Sequence, residues 1–433
     1  MRNKILVSAL SLFSIVSATD VSGNITSNTT WSATNSPYYI TGNVGVPAGY
    51  TLTIEPGVTV NYSGDYNILV KGNILINGST SSHVVFNGNS STGSEIMILF
   101  KSTDLSNSSI NYTDFTGPQY AVRLAEESEH NQDETKNSDT LKVHYSSFNN
   151  TGVFTDGYST TAGLIINNST FSSCIIKGYY PRTEPIILKN CTIDTSIINS
   201  DSYNYGIKIY NSIVTRSNFS IGCCGSNFLI EESSIYKSPF SDYNNYYTVT
   251  INKSALVESP LYLPSGDVNI ANSTIFFDGS KSFKDYNSAS WSSYTTRDQQ
   301  GVYTRQAIIS YSTITGNGSG RGVEISSSSN YSSSISNSLI IDNSEGVKVT
   351  GNNGSYDFQN NNLINNTTYA INNQSNRSII ATNNYWGTTN STEIENQIYH
   401  ANDDLDLGTV SYSSYLSSLN TTAPISPPTN VAK

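Results

Sequence analysis

Between Ala307 and Gly387 one short phrase returns at near-constant spacing: AIISYSTI (307–314), SSISNSLI (333–340), YDFQNNNLI (356–364) and IIATNNYWG (379–387). Each copy has two core-seeking residues two positions apart, then a polar pair, then an apolar residue three positions after the first member of that pair. A strand that buries one face alternates in this way, and a helix does not.

Taking the first polar residue as a marker, the phrase runs back through Asn383, Asn360, Asn337, Tyr311, Asn272, Lys253, Glu232, Asn211, Asn190, Asn168, Tyr145 and Tyr112. Successive markers stand 19 to 26 residues apart, except for steps of 33 and 39 where the chain carries insertions. A period of about 22 residues signals a solenoid. Ahead of the marker lie pairs such as Leu164/Ile166, Ile186/Leu188 and Ile207/Ile209, and after it single residues such as Phe171, Ile193 and Val214. A third apolar pair follows in Val323/Ile325, Val347/Val349 and Tyr369/Ile371. Three short strands per repeat give an all-β fold, a parallel β-helix.

The marker falls at the bend between the first and second strands. Asn tolerates the left-handed backbone region better than other non-glycine residues, so a column of Asn at a repeated bend has a structural cause. The same phrase generates several Asn-x-Ser/Thr sequons, including those at Asn168, Asn190 and Asn272, which are therefore expected as turn residues before glycan acceptors.

The chain resembles the right-handed parallel β-helix, or pectin-lyase-like, superfamily. The likeness rests on the coil phrase, on VPAGYTLTIEPGVTVNY at 46–62, and on ATNNYWGTT followed by IYHANDDLDLGTVSYSSYL. It spans roughly residues 40 to 420 and implies the fold more strongly than any activity. The domain reading that follows is a signal peptide over 1–18, an N-terminal cap over 19–45, the β-helix over 46–392, a capping segment over 393–420 and a Pro-rich tail or linker over 421–433 that suits a downstream domain.

Arg2 and Lys4 precede an apolar run from Ile5 to Val16, and Ser17-Ala18 supplies small residues for cleavage. The run is too short to span a bilayer, and no later one is longer, so a secreted or cell-surface protein without a transmembrane segment is expected. Formal net charge is -11, with 13% charged residues, which disfavours nucleic acid and anionic membranes as partners. Cys174, Cys191, Cys223 and Cys224 form no spaced framework and read as buried or incidental thiols.

Two insertions interrupt the stack. Residues 123–140, RLAEESEHNQDETKNSDT, read as a solvated acidic loop. Residues 278–305 bring Trp291 and Tyr294 beside Arg297 and Asp298, a set able to stack on sugar rings and hydrogen-bond their hydroxyls, although a loop packing its own aromatics on the rod gives the same composition. Near the end, EIENQIYH at 393–400 spaces Ile394 and Ile398 as a short capping helix. Asp403, Asp404 and Asp406 are the densest carboxylates and a conceivable Ca²⁺ site, without the glycine and distal glutamate of an EF-hand, so a structural role is expected of them.

Three functions compete. The first is a protein that binds extracellular polysaccharide or acts as an adhesin, using a long polar and tyrosine-rich surface; the chain holds 30 Tyr. The second, implied by the resemblance, is a polysaccharide lyase or glycoside hydrolase. Hydrolases of this fold place several Asp on one face with a Gly-His-Gly and an Arg-x-Lys nearby, a combination absent here, and PRTEP around Arg182 only faintly echoes a lyase loop. No catalytic residue can be assigned, and no cofactor beyond Ca²⁺ is suggested. The third is a structural spacer of a larger surface protein. The first is preferred.

Overall fold

The computed structural model describes residues 18–426 except 89–95, 118, 126–136, 157–161, 180–184, 202–205, 223–225, 243–246, 287–293 and 328–329. The expected signal peptide, apart from Ala18, lies outside the described residues, as do most of the acidic loop, Arg182, Cys223, Cys224 and the end of the tail.

The chain winds into a parallel β-solenoid. One coil shows the plan: strands Gly163–Asn167, Thr170–Ser172 and Ile175–Tyr179 pair in parallel with Ile186–Lys189, Thr192–Asp194 and Ile197–Asp201 of the next coil. Three faces result. Ile166 sits over Leu188 inside the first, Phe171 over Ile193 inside the second, and Ile176 over Ile198 inside the third, all fully or almost fully buried. Neighbouring coils lie about 4.8 Å apart, which suits aromatic stacking. Phe86, Phe115, Phe148 and Phe171 form a continuous pile inside the second face, with centroids 5.1, 5.2 and 4.6 Å apart.

All twelve markers adopt left-handed φ, between 45° and 60°. A second left-handed column follows five residues later at Asn150, Ser173, Thr195, Arg216, Lys237 and Glu258, and turns the chain from second face to third. Each of these bends spends two or three residues, and the backbone N–H buried behind it has no strand partner. Serine supplies one. Ser233 Oγ accepts from the N–H of Ser212 at 3.1 Å and donates to the carbonyl of Glu231 at 2.8 Å, and Ser254 does the same for Ser233. The ladder ends in asparagines, Ser338 N–H donating to Asn361 and Asn361 N–H to Asn384. A parallel ladder through Ser196, Ser217, Ser238 and Ser259 serves the second bend. Buried backbone donors must find acceptors, and two columns of short side chains, mostly serine hydroxyls, meet that need.

Cys191 and Cys174 each occupy a rung, one per ladder. Their N–H groups donate to Ser212 and Ser196, both at 3.0 Å, and their thiols to carbonyls two residues back. Both are free and 2% exposed, and burial pushes each thiol up to about 11. The thiolate is the reactive form, so at pH 8 alkylation of the folded protein followed by peptide mapping should leave Cys174 and Cys191 unmodified, and unfolding should expose both. Cys191→Ser restores the ladder's usual hydroxyl and should stay within about 1 kcal/mol of the parent. Fast labelling of the native chain would contradict this placement.

The ends differ from the expectation in detail. Residues 19–45, expected as a cap, hold strands Thr19–Asn24, Thr29–Trp31 and most of Tyr38–Val46, which join the same parallel ladders. The helix expected over 393–400 is shorter and earlier, Ser391–Glu395, because Asn390 caps it by accepting from the N–H groups of Thr392 and Glu393. Ile398 instead enters a strand, paired with Ile371. In that last region Val347 and Val349 lie opposite Ile371 and Asn373, so Asn373, not Tyr369, is the buried partner of Ile371. Asn373 is accommodated there because its amide donates to the carbonyls of Arg377 and Gly408.

Candidate functional site

From Tyr145 to Asn360 the first bend keeps two residues, so variation collects elsewhere. The connection from third face to first runs from Ala125 to Thr140, Asp156 to Gly163, Tyr179 to Ile186 and Asp201 to Ile207 in successive coils. The second large insertion replaces the second bend, between Phe276 and Val302. Irregular segments therefore leave from both edges of the third face, and connections of this kind carry function more often than the strands they join.

The outward column of that face reads Arg123, Phe154, Lys177, Asn199, Ser220, Ser241 and Tyr262 in register. At one end is a cation and aromatic cluster. The Arg123 guanidinium lies 4.9 Å from the centre of Phe154 and pairs with Asp156. Lys177 Nζ lies 5.0 Å from Phe154 and 5.4 Å from Tyr179, and among the described residues no carboxylate pairs with it. Tyr179 is 36% exposed. In the middle, Asn199, Ser220 and Ser241 make a floor of small, buried polar side chains.

At the other end the insertion forms an antiparallel hairpin, Ser282–Tyr286 with Tyr294–Asp298. It bends onto the third face: Phe283 is buried with its ring 6.3 Å from Tyr262, and the Arg297 guanidinium sits 4.0 Å above the Tyr262 ring. Lys281 anchors the base through Glu258 at 2.7 Å. Of the four residues expected to bind sugar, Arg297 reaches the face, Asp298 is exposed at the hairpin's base opposite Ser282, Tyr294 pairs with Tyr286 in the strand ladder, and Trp291 lies outside the described residues. Arg297 contacts the rod, as a loop packing onto it would. Sequence reasoning passed over Arg123, Phe154, Lys177, Tyr179 and Tyr262. From Phe154 to Tyr262 the column keeps a constant offset of nine residues from the marker, and that was the available signal.

Asp403, Asp404 and Asp406 are brought close in sequence but serve the turn. Asp403 accepts from the N–H of His400 at 3.0 Å, and Asp404 from that of Asp406 at 3.1 Å. Among the described residues no three His, Cys, Asp or Glu side chains converge on a point where a metal could sit. Beside them His400 is buried; its Nδ1 accepts from Val410 N–H at 2.9 Å, which leaves the Nε2 proton facing Glu395 at 3.1 Å. Burial would raise the Glu395 carboxyl, but hydrogen bonds from Asn402, Tyr412 and His400 outweigh it and hold the group below its usual range.

No protein-family model matches the chain, and no curated protein matches it. Among solved structures the chain is similar to the catalytic unit of a thermostable GH87 alpha-1,3-glucanase from Streptomyces thermodiastaticus, at 10% identity and a TM-score of 0.37. The match covers 88% of this chain and 64% of that one, less than two thirds of the glucanase unit. A likeness this distant says nothing of activity or substrate. The chain is a parallel β-solenoid, the fold that its coil phrase implies, and its third face is bordered by irregular segments on both edges. Among the described residues no helix is long and apolar enough to cross a membrane.

Proposed function

We propose that this protein binds extracellular polysaccharide along its third face and works as an adhesin or surface-binding protein. The observation that carries the reading is the coincidence on one face of both irregular edges with aromatic and cationic groups at two ends of a small polar floor. Rings offer the apolar faces of pyranoses a matching surface, and cations meet hydroxyls and acidic substituents. Spacing along the rod lets one polymer touch both ends, so weak contacts add by avidity.

Pull-down of the chain from Thr19 on insoluble neutral and acidic polysaccharides tests this. The Lys177→Ala/Tyr179→Ala double variant should weaken retention about ten-fold, from about 1.4 kcal/mol of lost contact. Retention equal to the parent's would reject the third face as the binding surface. Parallel assays of reducing ends and unsaturated uronates separate binding from cleavage; chain scission would move the protein to the lyase or hydrolase class.

A further inference from the structure

We infer a second binding surface, on the outside of the first face, where a stripe of three lysines takes an acidic polysaccharide of the polyuronate class. It rests on the glycan-binding reading for the kind of polymer, and on a different face of the rod for everything else. Strand pairing puts Lys142, Ile165, Ile187, Lys208 and Leu229 in one outward column. A second column, two residues along the same strands, holds His144, Asn167, Lys189, Tyr210 and Glu231. The alternate residues, among them Val143, Leu188 and Ile209, are buried, so both columns look out from one side of the sheet. Lys142 and Lys189 are exposed and Lys208 is half-buried. Three coil steps separate Lys142 from Lys208, about 14 Å along the rod, and Lys189 lies one coil before Lys208 and about 7 Å to the side. One chain laid along the rod can therefore meet all three.

The charge of this stripe contrasts with the rest of the molecule. At a net charge of -11 carboxylates are plentiful, and Lys237, Lys253 and Lys281 are each paired with a glutamate. Among the described residues no carboxylate pairs with Lys142, Lys189 or Lys208, and Lys189 lies against the Tyr210 ring at 5.4 Å. From Ser109 and Asn111 to Lys208 and Tyr210 neither column holds an Asp or Glu. The first is Glu231, one coil beyond, and its carboxylate is engaged by Asn252 Nδ2 at 2.8 Å. The protein as a whole repels a polyanion, so an acidic polymer must be met where cations are left free locally. A chain with one carboxylate per sugar suits three ammonium groups spread over about 14 Å better than a ligand with one charge does. Ile165 and Ile187, between Lys142 and Lys208, add apolar contact for sugar C–H groups.

The test is calorimetric titration of the chain from Thr19 with hexagalacturonate as the acidic probe and cellohexaose as the neutral one. Lys142→Gln/Lys208→Gln removes two surface charges that have no carboxylate partner and leaves the core untouched, so the variant keeps its fold. It should weaken hexagalacturonate about ten-fold and leave cellohexaose unchanged, and added NaCl should weaken the uronate alone. Lys237→Gln/Lys253→Gln takes the same two charges from paired positions and should match the parent within about two-fold. A parent that does not bind hexagalacturonate, a stripe variant that binds it like the parent, or a control that loses it to the same degree overturns the stripe. Polyglutamate held as tightly as the uronate, and lost with the same lysines, overturns the polysaccharide assignment in favour of an acidic protein. Failure of the third-face reading looks different: Lys177→Ala/Tyr179→Ala is then retained on polysaccharide like the parent, while the stripe variant still loses the uronate.

Discussion

Replacing Phe148 with alanine is expected to destabilise the rod by about 3–5 kcal/mol, the cost of deleting a buried aromatic whose site cannot collapse. Phe148 is 1% exposed, and its two ring faces are covered by Phe115 and Phe171 from the coils on either side. Removing the ring leaves a slot one coil thick between two rings fixed by their own strands, and it forfeits both stacking contacts along with the transfer free energy. In a solenoid each repeat touches only its neighbours, so the damage stays local: coils bearing Phe115 and Phe171 lose their coupling through this face while the distant coils do not. Urea unfolding gives the total, and hydrogen exchange gives the place, with protection falling between about residues 110 and 176. Phe148→Leu, which keeps most of the volume, should cost less than about 1.5 kcal/mol. A near-neutral Phe148→Ala would mean that the pile does not support the rod.

The bend markers were legible because a left-handed φ constrains residue type, and Asn168, Asn190, Asn211 and Asn272 show that constraint in the open. The second bend was not, since Ser173, Thr195, Arg216, Lys237 and Glu258 share a backbone conformation but no composition. The role of the residue after the marker was hidden for another reason. Ser212, Ser233 and Ser254 look like solvent-facing turn serines in one dimension, and only stacking shows that each accepts a hydrogen bond from the coil before it. The site divides along the same line. A hairpin rich in aromatics and charges announces itself in a continuous stretch, so Arg297 could be singled out there. Its partner Tyr262, and the set Phe154, Lys177 and Tyr179, are assembled by coil stacking from residues a full period apart, and nothing in a local window links them. The fixed first bend also explains why irregular segments gather at the edges of one face: with that corner locked at two residues from Tyr145 to Asn360, the second corner and the third connection are where the chain admits length.

Asn361→Leu is the second large loss expected, about 2–5 kcal/mol, though the two side chains match in size. Asn361 is fully buried where the serine ladder passes into asparagine. Its Oδ1 accepts from Ser338 N–H at 3.0 Å, and its Nδ2 donates to the carbonyl of Ile335 at 2.8 Å. Leucine fills the space and abandons both groups, so the cost is the desolvation of an orphaned donor and an orphaned acceptor in the interior, at about 1–3 kcal/mol each. Asn361→Ser decides between that account and simple packing. A serine there can accept from Ser338 as serines do on the rungs above, at Ser312 and Ser338, leaving only the Ile335 carbonyl unmet, and carbonyls tolerate a missing partner better than N–H groups do. The smaller residue should therefore be the milder change, by 1 kcal/mol or more in urea midpoint comparisons at about equal slope. If leucine proved the better tolerated of the two, volume and not the ladder of buried acceptors would govern the bend.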